Sequence, residues 1–231
     1  VCSSDLGTGN VVAEWRERGF QPHILSVPAV APAAAGPGDT SAAPPVPSSA
    51  PVLPQEIKAL VLAEVVNFRK VAEFQLPAFV EQVRRVAAGV VTAAGVAPDS
   101  VEVAGGSFQF VFGSLGAAAK VALDLQDALG RRRWGELGLP EDLGLRVAVH
   151  AGPVFAFTDP VTGRLSCLGP HLVRAQHIVP TVTAGQVFVS QEYAALCGAE
   201  RLTGVNFEFL GRLPTTRMFE DVPLYRLERA P

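Results

Sequence analysis

The sequence predicts an α+β fold of the ferredoxin-like type, in which helices pack on one side of a mostly antiparallel sheet. Three observations predict it. Residues 57–66 form an almost continuous apolar run rich in β-branched side chains, typical of a strand buried on both faces. Two amphipathic helical patterns are inserted between short strand patterns. The Gly105-Gly106 pair between two of those strands is a strong hairpin signal.

The first elements after the opening strand follow from apolar spacing and glycine stops. Phe79, Val83, Val86 and Val90 have a four-three-four spacing, which predicts a helix that ends near Gly95. The next predicted elements are strands at 100–104 and 108–112 and a second helix over 118–129 that stops at Gly130.

The second half of the domain is predicted to contain shorter elements. A strand at 145–150 is expected to break at Gly152-Pro153 and to continue over 154–157. Ser190 is expected to be the N-cap of a short helix over 191–197. The other predicted elements are a turn at 159–163 that leads through 165–168 into a helix over 171–178, and strands at 187–189, 207–210 and 224–227.

The N-terminal part of the chain differs in composition from the rest. Residues 27–54 are dominated by Pro, Ala, Ser and Gly, which predicts a linker rather than a long loop inside a domain. Residues 1–26 carry one helical and one strand pattern, and we interpret them as the tail of an upstream α/β domain or as foreign N-terminal sequence. The domain itself is predicted to span 55–231.

Composition excludes several classes of protein. The 231 residues carry a formal net charge of −3, which argues against binding to nucleic acid or to an anionic membrane. Three cysteines lack metal-ligand spacing and do not suggest a disulfide framework. Because no apolar run approaches the length of a membrane span and no signal-peptide pattern is present, we expect a cytoplasmic protein.

Four sequence blocks, taken in order, resemble the catalytic domains of class III adenylate and guanylate cyclases of the bacterial type. They are LAEVVNF at 62–68, GG at 105–106, RVAVHAGPV at 146–154 and GQVFVS at 185–190. The similarity covers roughly residues 58–227. It implies the ferredoxin-like cyclase fold and a head-to-tail homodimer.

The resemblance also assigns the metal site. In that family two acids hold two divalent ions, Mg²⁺ or Mn²⁺, that activate the ribose 3′-hydroxyl and neutralise the triphosphate. Glu64 matches the first acid, where the family normally has Asp. Gly106 matches the second and offers no side-chain ligand. The two-metal site is therefore predicted to be incomplete.

The remaining family positions lie on the helix near residue 175 and at two strands. Val173 matches an Asn that orients the ribose, and His177 matches an Arg that stabilises the transferring phosphoryl group. Glu102 matches a purine-reading position and resembles the guanylate-selective pattern, although it is also explained as an outward residue on an alternating strand. Ser166 matches the second base-reading position, or Cys167 if the turn slips by one residue.

These departures lead to a functional prediction. We expect a degenerate cyclase homology domain that acts in intracellular signalling as a non-catalytic dimerisation or nucleotide-sensing module, downstream of another domain. The alternative is an active purine nucleotide cyclase that converts GTP or ATP to the 3′,5′-cyclic monophosphate with a rebuilt site, using Glu64 with hairpin carbonyls for metal and His177 for phosphate. His150 is expected to be structural rather than a catalytic base.

Overall fold

The computed structural model describes residues 53–130, 132–214 and 221–230. The predicted upstream tail and most of the predicted linker lie outside the described residues. The strands are β1 (Gln55–Val66), β2 (Ser100–Ala104), β3 (Ser107–Phe112), β4 (Gly144–Thr158), β5 (Leu165–Leu168), β6 (Val187–Ser190), β7 (Val205–Leu213) and β8 (Val222–Arg229).

Four helices accompany the strands in this part of the chain. The first, α1, consists of Leu76–Phe79, a π-helical turn at Val80–Arg84, and Arg85–Ala93. The others are α2 (Leu115–Leu129), α3 (Pro170–Ile178) and α4 (Gln191–Ala199). Short 3₁₀ segments lie at Phe68–Lys70, Glu73–Gln75, Trp134–Leu137 and Val179–Thr181.

The strands form one sheet in the order β2-β3-β1-β4-β6-β8-β7, and β5 pairs with β4 at its far end. Neighbouring strands are antiparallel apart from β4 and β6, which run parallel. The prediction of a mostly antiparallel sheet with helices packed on it is therefore confirmed.

Helices cover both faces of this sheet, so the expectation that they lie on one side is wrong. Alternate β1 residues such as Val61 and Ala63 join a core with α1, α2 and α4. The residues between them, Leu60 and Leu62, join a second core with α3. Successive side chains of a strand point to opposite faces, so β1 is buried by a helical layer on each side.

Strand β4 runs without interruption, so the predicted break at Gly152-Pro153 is also wrong. Its pairing with β1 continues through Lys58 opposite Gly152 and Ile57 opposite Pro153. On its other edge β4 pairs with β6 only as far as Val149 and with β5 only from Phe155 onward. Among the described residues that edge is unpaired at Pro153, and proline is tolerated in a strand where no ladder bond is required of it.

Helix starts follow the predicted capping chemistry. The Ser190 hydroxyl accepts a hydrogen bond from the backbone N–H of Tyr193, as expected of the N-cap of α4. Ser114 caps α2 in the same way, accepting from the N–H of Ala117. These caps fix where each helix leaves the sheet.

Candidate functional site

A cavity of about 380 Å³ lies between the sheet and the C-terminal end of α3. Strands β1, β2 and β3 form its floor, and residues around the end of α3 form its wall. The polar residues that line it are Glu64, Glu102, Ser107, Gln109 and Gln176. Apolar residues such as Leu62 and Val179 complete the lining. The volume lies in the range of small-molecule sites.

Strand register brings the polar residues of the floor together. Glu64 lies opposite Ser107 in the β1–β3 pair, and Glu102 lies opposite Gln109 in the β2–β3 pair. Residues that are directly opposite in adjacent strands point to the same face of a sheet. Leu62, the partner of Gln109, belongs to the core on the α3 side. All four polar side chains therefore face α3.

The Glu64 carboxylate is held by an internal cation. Its Oε2 accepts hydrogen bonds from Arg146 Nη2 at 2.6 Å and from Arg146 Nε at 3.0 Å. Arg146 Nη1 also donates to the Pro180 carbonyl at 3.1 Å. Glu64 and Arg146 are opposite each other in the β1–β4 pair, and their side chains are only 36% and 21% exposed. The guanidinium therefore neutralises the carboxylate.

The hairpin position of Gly106 is filled by a neighbouring ring. A Cβ added to Gly106 would lie 2.8 Å from Phe68 Cγ and 2.9 Å from Phe68 Cβ, closer than real Cβ contacts. The Phe68 ring also packs on Phe79, with ring centroids 4.9 Å apart. The hairpin backbone is fixed as well, since Val65 N donates to the Gly106 carbonyl at 2.8 Å. No side chain fits at residue 106 while Phe68 stays in place.

A divalent metal does not fit this site. Glu64 already shares its carboxylate with a guanidinium, and residue 106 provides neither a ligand nor room for one. In residues 53–130, 132–214 and 221–230, no group of three His, Cys, Asp or Glu side chains is arranged to hold a metal ion. Hard divalent cations need several oxygen ligands, and the two positions that the resemblance assigns to metal offer one carboxylate, which is already paired with Arg146.

Glu102 and Ser166 form the other end of the site. Ser166 Oγ donates to Glu102 Oε1 at 3.4 Å, a long hydrogen bond between exposed groups. The next residue, Cys167, is only 3% exposed and packs into the core beside α3, where burial raises the pKa of its thiol. Ser166, rather than Cys167, is therefore the residue that the structure brings beside Glu102.

A second polar cluster lies at the other end of α3, around the buried His150. Its Nδ1 lies 2.7 Å from Ser190 Oγ and its Nε2 lies 2.9 Å from His171 Nδ1. Glu192 lies 3.9 Å from the ring and pairs with Arg174 at 3.2 Å. Burial lowers the pKa of His150, Glu192 opposes that shift, and the charges of His171 and Arg174 reinforce it.

The cluster links three elements and has the geometry of a structural network. His150 on β4 contacts the first turn of α3 through His171 and the cap of α4 through Ser190. Since His150 is fully buried, it is closed to a substrate. These contacts agree with the structural role expected of His150.

No protein-family model matches the chain, and no curated protein matches it either. Solved structures do. The adenylyl cyclase CyaB from P. aeruginosa aligns with a TM-score of 0.64 at 13% identity, over 78% of this chain and 97% of that one. The guanylate cyclase domain of RhGC from Catenaria anguillulae, in complex with GTP, aligns with a TM-score of 0.64 at 15% identity, over 77% and 100%.

The chain has the fold of a class III nucleotide cyclase catalytic domain. A third structure, of adenylate cyclases from Trypanosoma brucei in their monomeric state, agrees with a TM-score of 0.63 at 18% identity, over 76% of this chain and 89% of that one. At these identities the similarity establishes the cyclase fold and leaves activity to the chemistry of the site.

The other predicted positions of the cyclase fold lie on α3. Val173 is 44% exposed, and His177 is half-buried one helical turn further on. Neither lines the cavity of its own chain, whereas Gln176 does. The resemblance implies that residues 173 and 177 act at the site of a partner subunit, and this stays a prediction.

Sequence reasoning missed Arg146, Phe68, Gln109 and Gln176. Gln109 had a usable signal, because it is the one polar residue inside the run Phe108 to Phe112. Arg146 lies in a motif block, but only strand register shows that it faces Glu64.

Within residues 53–130, 132–214 and 221–230, no helix has the length and hydropathy needed to span a lipid bilayer.

Proposed function

We propose that this domain is a degenerate class III cyclase homology domain, acting in cytoplasmic signalling as a non-catalytic dimerisation or nucleotide-sensing module. One observation carries the proposal. The two positions that the resemblance assigns to metal ligands are filled from within, Glu64 by its pairing with Arg146 and residue 106 by the ring of Phe68.

The filled site removes the main source of catalysis in this fold. Phosphoryl transfer depends on positioning and on neutralising charge at the transferring group, largely by metal ions. Val173 offers no polar group for a ribose, and His177 lacks a guanidinium fork. Loss of one strong transition-state contact typically slows a reaction by about 100-fold or more, so the combined losses predict negligible turnover.

Dimerisation is supported by apolar side chains exposed around α3. Val173 is 44% exposed, and Leu165 and Leu168 on β5 are 47% and 55% exposed. Exposed apolar side chains on this helix and on the strand just before it favour a protein interface. We propose a homodimer that forms through this surface.

A cyclase assay tests the proposal. The purified full chain is incubated with GTP and with ATP, each with Mg²⁺ and with Mn²⁺, and cyclic product is measured. We expect none above background. Product that disappears in a Glu64→Ala variant would refute the proposal and favour the alternative of a working purine nucleotide cyclase with a rebuilt site.

A further inference from the structure

We infer that a groove between α1 and the edge strand β2 binds a medium-chain carboxylate, with the charged group on Arg84 and the alkyl chain along the groove. The groove has a volume of about 370 Å³, in the range of small-molecule sites. Its walls include Ala87 and Val91 on α1 and Val101 and Val103 on β2. The groove is separate from the proposed function, because it lies on the opposite face of the sheet from α3.

Strand register places the groove on the face of the sheet that α1 covers. Val101 lies opposite Phe110 and Val103 lies opposite Phe108 in the β2–β3 pair. Both phenylalanines belong to the core beneath α1, so the valines opposite them point to the same face. Glu102, between the valines, points to the other face and lines the candidate functional site.

The groove is apolar and only partly covered. Phe108 and Phe110 line it and are each 4% exposed, whereas Val101 and Val103 are 49% and 42% exposed. Strand β2 is the last strand on this side of the sheet, and its two valines present apolar surface to water. Covering that surface with an alkyl chain is favourable by the hydrophobic effect. The expected occupant is therefore mostly apolar.

One cation lies at the hairpin end of the groove. Arg84 Nη2 donates to the Gly105 carbonyl at 2.9 Å, which holds the guanidinium beside the β2–β3 turn. Its Nε is buried and has no hydrogen-bond partner in the described part of the chain. Glu81, three residues earlier, is engaged through both carboxylate oxygens by Arg85, at 2.6 and 2.9 Å. Among the described residues, Arg84 makes no ion pair, and no Asp or Glu lines the groove.

The unpaired guanidinium selects the charged group of the ligand. Arginine carries a permanent charge, and its planar N–H donors match the two oxygens of a carboxylate. A single cation balances a monoanion, which favours a carboxylate over a phosphate group with about two negative charges. From Arg84 to Thr92, the last α1 residue that lines the groove, the helix advances roughly 12 Å. That distance suits an extended chain of medium length.

Calorimetric titration of the full chain with octanoate tests the inference, and butanoate and 1-octanol are the comparison ligands. We expect octanoate to bind with a Kd below about 1 mM. Butanoate should bind at least about tenfold more weakly, because its shorter chain buries fewer methylene groups. 1-Octanol should bind about tenfold more weakly, because it lacks the charge that pairs with Arg84.

Two neighbouring arginines provide matched variants. Arg84→Met keeps an apolar side chain and removes the charge, so it should weaken octanoate binding about tenfold and leave 1-octanol binding unchanged. Arg85→Met, at an exposed residue paired with Glu81, is the control and should leave both affinities unchanged. Val103→Asp, at an exposed wall position, should abolish the binding of both ligands, because it places a carboxylate in the groove. The ligand-free Val103→Asp chain should sediment like the unmodified chain.

Several results would overturn the inference. One is that octanoate does not bind at millimolar concentration. Equal affinities for octanoate and 1-octanol, or equal losses in Arg84→Met and Arg85→Met, would mean that the groove does not recognise a carboxylate through Arg84. A change in the sedimentation of the ligand-free Val103→Asp chain would mean that a second copy of the chain covers the groove, which would also overturn the inference.

Discussion

Restoring an acid at the hairpin, with Gly106→Asp, is expected to destabilise the domain. The added Cβ would lie 2.8 Å from Phe68 Cγ, so either the ring or the hairpin must move. Gly106 is not among the glycines with positive φ, so the backbone itself accepts a side chain and the penalty is steric. Phe68 packs on Phe79, which limits how far it can move.

The size of the effect follows from the packing. Adding atoms to a well-packed site typically costs about 1–3 kcal/mol, and we expect about 2 kcal/mol of unfolding free energy here. In a Phe68→Ala background the ring is removed, and of the closest atoms only the Cβ of residue 68, 2.9 Å from the added Cβ, remains. There the same substitution should cost at least about 1 kcal/mol less, because residues in contact couple by about 0.5–3 kcal/mol.

Urea unfolding followed by the fluorescence of the buried Trp134 measures all four proteins of this cycle. Gly89→Asp is the matched control, since a Cβ at this exposed helical position meets nothing within 4 Å. It should change stability by less than about 0.5 kcal/mol. Equal penalties for Gly106→Asp with and without Phe68 would refute the steric reasoning.

Three further predictions concern charge, pH and assembly. Arg146→Met leaves the partly buried Glu64 carboxylate unpaired and should lower the free energy of unfolding in urea by about 1–2 kcal/mol. The double variant Glu64→Gln/Arg146→Met should recover part of that stability. No recovery would contradict the pairing. Because burial lowers the pKa of His150 in the folded state, the unfolded chain binds more protons below about pH 6.5, so stability should fall on acidification. His150→Gln should flatten that slope between pH 7 and pH 5, and an unchanged slope would assign it to other groups. Val173→Asp should convert a dimer to a monomer in sedimentation at tens of micromolar. Val96→Asp, at a residue that is 47% exposed and follows α1, is the control and should leave the dimer intact. A dimer in both variants would rule out an interface through Val173.

Most of the helices and strands could be predicted from the sequence because the apolar periodicity that defines each one lies within a short stretch of chain. Helix α2 was predicted from its apolar spacing and its stop at Gly130, and the hairpin from Gly105-Gly106. The helix on the second face of the sheet was not predicted, although the apolar run of β1 indicated that both faces are covered. A strand that is apolar on both faces requires cover on both faces, so residues 57–66 were already inconsistent with helices on one side alone.

The site was harder to predict because it depends on register and on close packing. Glu64 and Glu102 were found from motif positions, and the structure places both in one cavity. The pairing of Glu64 with Arg146 joins residues 82 positions apart, and one strand alone does not encode the register of its neighbour. Between Ser166 and Cys167, alternation along β5 sends the first side chain outward and the second into the core, while the base-reading role stays a prediction.

The ring of Phe68 over Gly106 also constrains how such a domain can change over time. A mutation that placed an acid at position 106 would meet the ring first, so its cost in stability would come before any contribution to chemistry. A second change at Phe68 would have to come earlier, at a time when it brings no benefit. The packing therefore links positions 106 and 68, because an acid at residue 106 is accommodated only after Phe68 has moved or been replaced.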